Sequence, residues 1–245
     1  MSPMADSHDP VILAFEASTA LLSVAVSDRG GCLSQQTAKA SFGQAADLVP
    51  MAVRVMQEAG LGFDRLSHVA AGVGPGSFTG IRVALAAAKG VCLAHDLPGI
   101  GVSGLQALAC AAADGVSNRA MLCLADTRRN SFYCQAFTAD AEPAGDIFEA
   151  DEEHIPLMVP PALTASAFCL VGHAADRLFR VFAEAGRDDI ALASPAGADT
   201  DAPVMLDASM IAGFAAKSLA KGDAPPLIPL YLSDPRLGPK KVKTA

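Results

Sequence analysis

Apolar and polar positions follow two different periods along the chain, and both periods recur in each half. Short apolar runs predict strands at residues 11–17, 21–28, 32–38, 69–73, 121–126, 131–138 and 168–171. Apolar residues spaced by three and four predict helices at residues 44–59, 79–94, 105–113, 173–185 and 207–221. Pro50 is expected to kink the first helix or leave it unpaired near its start, because proline has no backbone N–H to donate. A last extended segment is predicted at residues 225–232.

One arrangement of these elements occurs twice. A strand that ends in Glu16 is followed by a polar turn and a second strand, and the same order returns around Asp126. This repeat indicates two related lobes. We therefore expect an N-terminal lobe at residues 9–102, a smaller C-terminal lobe at residues 103–235 and a basic tail at residues 236–245.

Composition narrows the class of protein. The chain has 245 residues, of which 51% are hydrophobic and 18% charged, so it can bury a large core. Its six cysteines fall mostly within apolar runs and form no C-x-x-C pair, which is typical of reduced, buried thiols in the cytosol. No window approaches 18 uninterrupted apolar residues and the N-terminus is polar. We therefore expect a cytoplasmic protein without a signal peptide or a membrane segment.

Charge is unevenly distributed along the chain. The net charge of −8 argues against broad, nonspecific binding of nucleic acid. Residues 140–153 contain seven acids and no Lys or Arg, and we interpret them as a solvated loop. The last ten residues carry the basic side chains Arg236, Lys240, Lys241 and Lys243. A frayed tail is the expected structure there, and a tail that touches RNA is the alternative.

Residues 72–83 join an apolar strand to an alanine-rich helix through closely spaced glycines. Three glycines, Gly72, Gly74 and Gly76, lie close to Pro75. The backbone there must turn tightly or lie close to another group. Ser77, or Thr79 two residues later, is expected to cap the helix that starts near Gly80. The N–H groups of such a turn suit an anion or a partner's carboxylate.

This turn matches none of three known loop signatures. A Walker loop needs a lysine directly after its last glycine, and the nearest one, Lys89, lies well inside the helix. A dinucleotide-binding fingerprint needs a glycine where Ser77 stands, and a nucleophile elbow needs one where Pro75 stands. A strand-to-helix turn without a ligand therefore remains an open alternative.

Several motifs together resemble the TsaB (YeaZ) family over almost the whole chain. They are residues 12–19 (Ile-Leu-Ala-Phe-Glu-Ala-Ser-Thr), 74–83 (Gly-Pro-Gly-Ser-Phe-Thr-Gly-Ile-Arg-Val), 97–103 (Leu-Pro-Gly-Ile-Gly-Val-Ser), Asp126 with the arginine-containing turn after it, and 229–234 (Pro-Leu-Tyr-Leu-Ser-Asp). In the glycine turn the residues that carry the likeness are Gly74, Pro75, Gly76, Ser77, Thr79, Gly80 and Arg82. The resemblance implies an α/β, actin-like (ASKHA, ribonuclease H-like) fold of two lobes, each a mixed sheet with flanking helices.

The same resemblance implies a function in tRNA modification. Members of this family act as a non-catalytic, activating scaffold that binds TsaD, the subunit that forms N6-threonylcarbamoyladenosine at position 37 of tRNAs reading ANN codons. An ATPase subunit, TsaE, joins the same complex. We therefore expect binding to TsaD, a homodimer when the chain is alone, and contact with tRNA only through the complex.

Two helices are the candidates for the partner contact. The helix at residues 79–94 has few charged side chains, Arg82 and Lys89 among them, so its own chain or a partner must cover it. With the helix at residues 44–59 it is expected to pack against a matching pair as a four-helix bundle. The expected anchors are Leu48, Met51, Val55, Ile81, Leu85 and Ala88. The alternative that these side chains fill the chain's own core stays open.

No catalytic residue and no metal site are predicted from the sequence. TsaD carries a His-x-x-x-His pair on a helix, whereas none of the five histidines here are four residues apart. Family likeness makes Glu16, Ser18, Thr19 and Asp126 a vestigial nucleotide site. No intrinsic cofactor is expected, and ATP and magnesium are expected only at the level of the complex.

Two enzymatic alternatives remain. The first is an ATP-binding enzyme of the actin-like fold, a small kinase or acyl-phosphate enzyme, with Glu16 and Asp126 around magnesium and phosphate. The second, more remote, is a glycoprotease-like peptidase. It would need Ser77 to pair with a distant histidine, because no nucleophile with a nearby base is visible in the sequence.

Overall fold

The computed structural model describes residues 9–39, 44–116, 118–127, 129–164, 167–193 and 204–232. One sheet contains β1 (Ile12–Glu16), β2 (Leu21–Asp28), β3 (Gly31–Lys39), β4 (His68–Gly74) and β5 (Gly99–Ser103). The other contains β6 (Ala120–Asp126), β7 (Ser131–Phe137), β8 (Phe148–Asp151), β9 (Phe168–Gly172) and β10 (Ala191–Leu192). The helices are α1 (Leu48–Glu58), α2 (Phe78–His95), α3 (Gly104–Ala112), α4 (Ile155–Met158), α5 (Pro161–Thr164), α6 (Ala175–Glu184) and α7 (Ala208–Ala220). The predicted basic tail lies outside the described residues.

The two sheets have the same strand order. It is β3-β2-β1-β4-β5 in the first and β8-β7-β6-β9-β10 in the second. Strand β1 pairs antiparallel with β2 and parallel with β4. In the same way, β6 pairs antiparallel with β7 and parallel with β9. The prediction of two related lobes from the strand-acid-turn-strand repeat agrees with this topology.

Five layers build the molecule. Helices α1 and α2 cover one face of the first sheet, α3 and α7 lie between the two sheets, and α4 and α6 cover the far face of the second sheet. Successive residues of β1 point to opposite sides, so Leu13 and Phe15 pack against α1 and α2 while Ile12 and Ala14 face α3 and α7. Because both sheet faces are covered, the central strands are almost continuously apolar.

Helix α7 packs on the first sheet although it follows the second sheet in the sequence. It packs against β1, β2, β4 and α3. The chain therefore crosses back from the second lobe, and the predicted range 103–235 contains one helix that the first lobe holds. The middle layer of α3 and α7 forms a core that joins both sheets.

Three strands do not follow from the sequence pattern. β8 runs through part of the acidic stretch that we expected to be a loop. It is an edge strand with Ala150 buried and the carboxylates Glu149 and Asp151 exposed, so its apolar signal is short. β5 contains Gly99 and Gly101, which weaken the strand signal, and β10 has only two residues.

The first α-helix begins four residues later than predicted, so Pro50 lies at its start and does not interrupt it. A 3₁₀ turn at Gln44–Asp47 leads into α1, which starts at Leu48. Pro50 thus lies in the first turn of the α-helix, where its missing N–H removes no hydrogen bond.

Candidate functional site

The glycine turn connects β4 to α2 and packs against the turn that follows β1. Ser77 caps α2, because its Oγ accepts a hydrogen bond from the Gly80 N–H at 3.3 Å. The Ser77 N–H donates to the carbonyl oxygen of Ser18 at 2.8 Å. The prediction that Ser77 or Thr79 caps the helix is therefore settled in favour of Ser77.

Two glycines are required by that close approach. A Cβ at Gly76 would lie 2.6 Å from the carbonyl oxygen of Ser18, and one at Gly80 would overlap the carbonyl of Ala17. The glycines thus allow the turn after β4 to pack directly on residues 17 and 18. Binding of an anion or a partner's carboxylate by the N–H groups of this turn stays a prediction.

Glu16 is buried beneath the same turn. Its Oε1 accepts hydrogen bonds from the N–H and the hydroxyl of Ser18, both at 2.5 Å. Its Oε2 has no hydrogen-bond partner in the described part of the chain and lies against Gly72, where a Cβ would overlap it. Burial raises the pKa of this carboxyl from its ordinary value of 4.5 to about 6, against the opposing effect of the Ser18 hydrogen bonds. The side chain is folded onto its own turn.

A pocket of about 510 Å³, including the solvent at its mouth, lies between the two lobes. Its lining residues are Ser18, Thr19, Ala20, Gly104, Leu108, Leu124, Ala125, Asp126, His173, Met205 and Leu206. The fold thus brings together three of the four residues predicted for a nucleotide site. Glu16 is not among them. His173, which sequence reasoning did not assign, also lines the pocket.

The interior of this pocket is mainly apolar. Met205 and Leu206, in the segment that enters α7, close it from one side, and Leu206 lies so near Gly104 that a Cβ there would be 2.7 Å from its Cδ2. Leucines from α3 and β6 form the opposite wall. A triphosphate needs backbone N–H groups and cations around it, and this lining supplies few of them.

The six predicted partner anchors are buried inside the chain itself. Leu48, Met51, Val55, Ile81, Leu85 and Ala88 each expose 4% or less of their surface and pack in one core with the first sheet. Side chains so deeply buried cannot supply contact area to a partner. The apolar periodicity of α1 and α2 reports the side that faces the sheet.

A different set of residues forms the solvent side of these two helices. We call it the outer face, and it consists of Val49, Val53, Ala86, Gly90 and Leu93, all exposed. Val49 is 52% and Leu93 is 88% exposed. Nothing lies within 4 Å of the position that a Cβ would take at Gly90. The outer face therefore offers exposed apolar and small residues, beside the exposed cations Arg82 and Lys89, and another helix can approach it closely.

Helix α2 is long and apolar enough, by length and composition only, to cross a membrane. One side of it packs against β4 and β1. Its other side carries the exposed cations Arg82 and Lys89. This two-sided character is that of a surface helix that a protein partner can cover.

Metal-binding groups do not cluster among the described residues. No set of three or more His, Cys, Asp or Glu side chains there is arranged to hold a metal ion.

Comparison with known proteins supports one family. Residues 25–234 match the family model described as TsaD, tRNA N6-adenosine threonylcarbamoyltransferase. The tRNA threonylcarbamoyladenosine biosynthesis protein TsaB of Haemophilus influenzae is 35% identical over 127 residues, which are 50% of this chain and 51% of that protein. A tRNA N6-adenosine threonylcarbamoyltransferase of Bradyrhizobium diazoefficiens is 48% identical over 54 residues, 22% of this chain and 15% of that enzyme. The chain thus spans about half the length, or less, of these curated relatives.

Solved structures agree on the fold. YeaZ from Pseudomonas aeruginosa superposes with a TM-score of 0.69 at 24% identity, covering 91% of this chain and 100% of that one. With its two sheets of equal topology and flanking helices, the chain has the two-lobed actin-like fold that its motifs imply.

Proposed function

The chain belongs to the TsaB (YeaZ) family, within the wider threonylcarbamoyltransferase family whose model it matches, and from this premise we propose that it is a scaffold subunit for TsaD. In this proposal it binds and activates TsaD, which forms N6-threonylcarbamoyladenosine at position 37 of tRNAs that read ANN codons. The complex works in the cytoplasm, and TsaE joins it. tRNA, ATP and magnesium meet this chain only through its partners.

The proposal rests on the exposed apolar side chains of the outer face of α1 and α2. Val49, Val53 and Leu93 are large apolar side chains on neighbouring helices that the chain's own core leaves uncovered. Full burial of an exposed large aliphatic side chain gains about 1.5–3 kcal/mol. Leu93 can gain most of this and the half-exposed Val49 and Val53 a part of it, so a surface that covers all three is favoured. Ala86 and Gly90 between them let a second helix pair come near.

TsaD is a suitable partner for this surface because it is a relative. One stretch of 54 residues, 22% of this chain, is 48% identical to the tRNA N6-adenosine threonylcarbamoyltransferase of Bradyrhizobium diazoefficiens. Two related folds present related helix pairs, which can pack around a pseudo-twofold axis as a four-helix bundle. The same geometry permits a homodimer when TsaD is absent.

A non-catalytic role accords with the state of the interlobe pocket. Glu16, the acid expected to face magnesium and phosphate, is buried and bonded to Ser18 instead. Leu206 and Met205 occupy one wall of the pocket. An ATP-binding enzyme remains the alternative, since Ser18, Thr19 and Asp126 do line one pocket; micromolar binding of ATP with turnover by the isolated chain would favour it.

Co-purification with TsaD from the same cell tests the proposal. Val53→Asp should remove the complex, because a carboxylate forced into a desolvated helical contact costs several kcal/mol. Since Val53 is exposed, the variant should fold normally. Leu157→Asp is the matched control, because Leu157 is an exposed leucine, 82% accessible, on α4 of the second lobe. Retention of TsaD by the Val53→Asp variant would contradict the proposed surface.

A further inference from the structure

The extended segment after α7, residues 225–232, runs along the open edge of the first sheet. We call it the strap. The Gly101 N–H donates to the carbonyl of Pro225 at 2.7 Å, and the Leu230 N–H donates to the carbonyl of Val73 at 2.9 Å. Leu227 is buried against Gly99, whose missing side chain leaves room for it. The strap is therefore firmly attached to β4 and β5.

The strap ends beside the first turns of α2. The ring of Tyr231 lies 5.6 Å from the ring of Phe78, centroid to centroid. The Arg82 guanidinium carbon lies 3.7 Å from the centroid of Phe78, and its Nε lies 3.5 Å from the Tyr231 hydroxyl. We call these three residues the Arg82 cluster.

The Arg82 cluster continues the outer face. Phe78, Arg82, Ala86 and Leu93 are spaced by four and seven residues along α2, so they share one side of the helix. The rings remain accessible, with Phe78 38% and Tyr231 50% exposed. Ile228 and Leu232 of the strap add exposed aliphatic surface beside them.

Arg82 is held in place by Phe78 and Tyr231 and pairs with no acid in the described part of the chain. Its planar group lies over Phe78, which limits the rotamers it can take and leaves its outer N–H groups available. An arginine that is positioned in advance can bind a carboxylate through two parallel hydrogen bonds at a small entropic cost.

We propose that the Arg82 cluster is the anchor of the partner surface, where Arg82 binds a carboxylate of TsaD and Tyr231 and Ile228 pack against apolar side chains around it. This inference rests on the proposed function and adds the strap to its interface. Exposed Tyr and Arg residues beside aliphatic ones match the composition of the energetically dominant centre of a protein interface. The flanking Ile228 and Leu232 and the net charge of −8 favour protein over RNA as the occupant.

The test is the affinity of the full chain for purified TsaD, measured by calorimetry at 50 mM and 500 mM NaCl. Arg82→Gln and Tyr231→Ala should each weaken binding about tenfold or more. Arg82→Lys should also weaken binding, because an ammonium group lacks the planar pair of N–H donors. Wild-type affinity should fall with salt more steeply than that of Arg82→Gln. Arg29→Gln, an exposed arginine at the β2–β3 turn, is the control and should bind normally.

Other results would overturn the inference. If Arg82→Gln and Tyr231→Ala bind TsaD as wild type does while Val53→Asp does not, the anchor is wrong and the proposed function stands. If wild type itself fails to bind TsaD, both fall. If the two variants keep their TsaD affinity but lose crosslinking to tRNA, the cluster is an RNA contact. Thermal melting of each variant separates loss of binding from loss of folding.

Discussion

Ser77 and Glu16 differ in how far their structural roles can be predicted from the sequence. The helix cap at Ser77 can be predicted from sequence, because capping depends on residues close in the chain. The position of Glu16 cannot. Its carboxyl turns back to Ser18 because Gly72 on the neighbouring strand leaves space for it, and that neighbour is known only once β1 and β4 are paired.

The raised pKa of Glu16 makes the stability of the chain depend on pH. The folded state holds this proton more strongly than the unfolded state, so the contribution is full below pH 4.5 and is lost as the pH rises through about 6. The rise of the Glu16 pKa from 4.5 to about 6 corresponds to about 2 kcal/mol of stability. We expect Glu16→Gln to gain about this much stability relative to wild type between pH 4 and pH 8, measured by urea unfolding. An unchanged difference across that range would show that the buried carboxyl does not ionise as described.

At the scale of elements, amphipathic patterns predict helices well but do not identify the side that meets a partner. Helices α1 and α2 carry apolar residues on both sides. The continuous apolar stripe faces the sheet and includes Leu48 and Leu85, whereas Val53 lies on the solvent side next to the exposed Arg54. Edge strands are the other weakness. The exposed carboxylates of β8 and the glycines of β5 make sense only beside the strands and the strap that pair with them.

Gly80 and Gly90 both lie in α2, but only Gly80 packs closely against another segment of the chain. Gly80→Ala should lower stability by about 1–3 kcal/mol, because the added Cβ overlaps the Ala17 carbonyl. Gly90→Ala should raise stability by up to about 1 kcal/mol, since its Cβ meets open space and alanine favours helix. Thermal or urea unfolding measures both. Equal effects of the two substitutions would contradict the packing of the glycine turn on residues 17 and 18.

For the whole molecule, the repeat of strand, acid, turn and strand is enough to predict two lobes with equal topology. It is not enough to assign α7, which follows the second lobe in sequence yet packs on the first sheet. Long-range packing of this kind depends on which faces of the two sheets remain open, and no local pattern reports that. The same crossing brings Met205 and Leu206 into the cleft, and so decides the character of the pocket.

We propose that TsaD covers the outer face of α1 and α2. Hydroxyl-radical footprinting of the wild-type chain, alone and with TsaD, tests it without any substitution. Leu93, 88% exposed on α2, should lose most of its oxidation in the complex, whereas Leu157, 82% exposed on α4, should keep it. Equal oxidation of Leu93 with and without bound TsaD would show that TsaD does not cover this face.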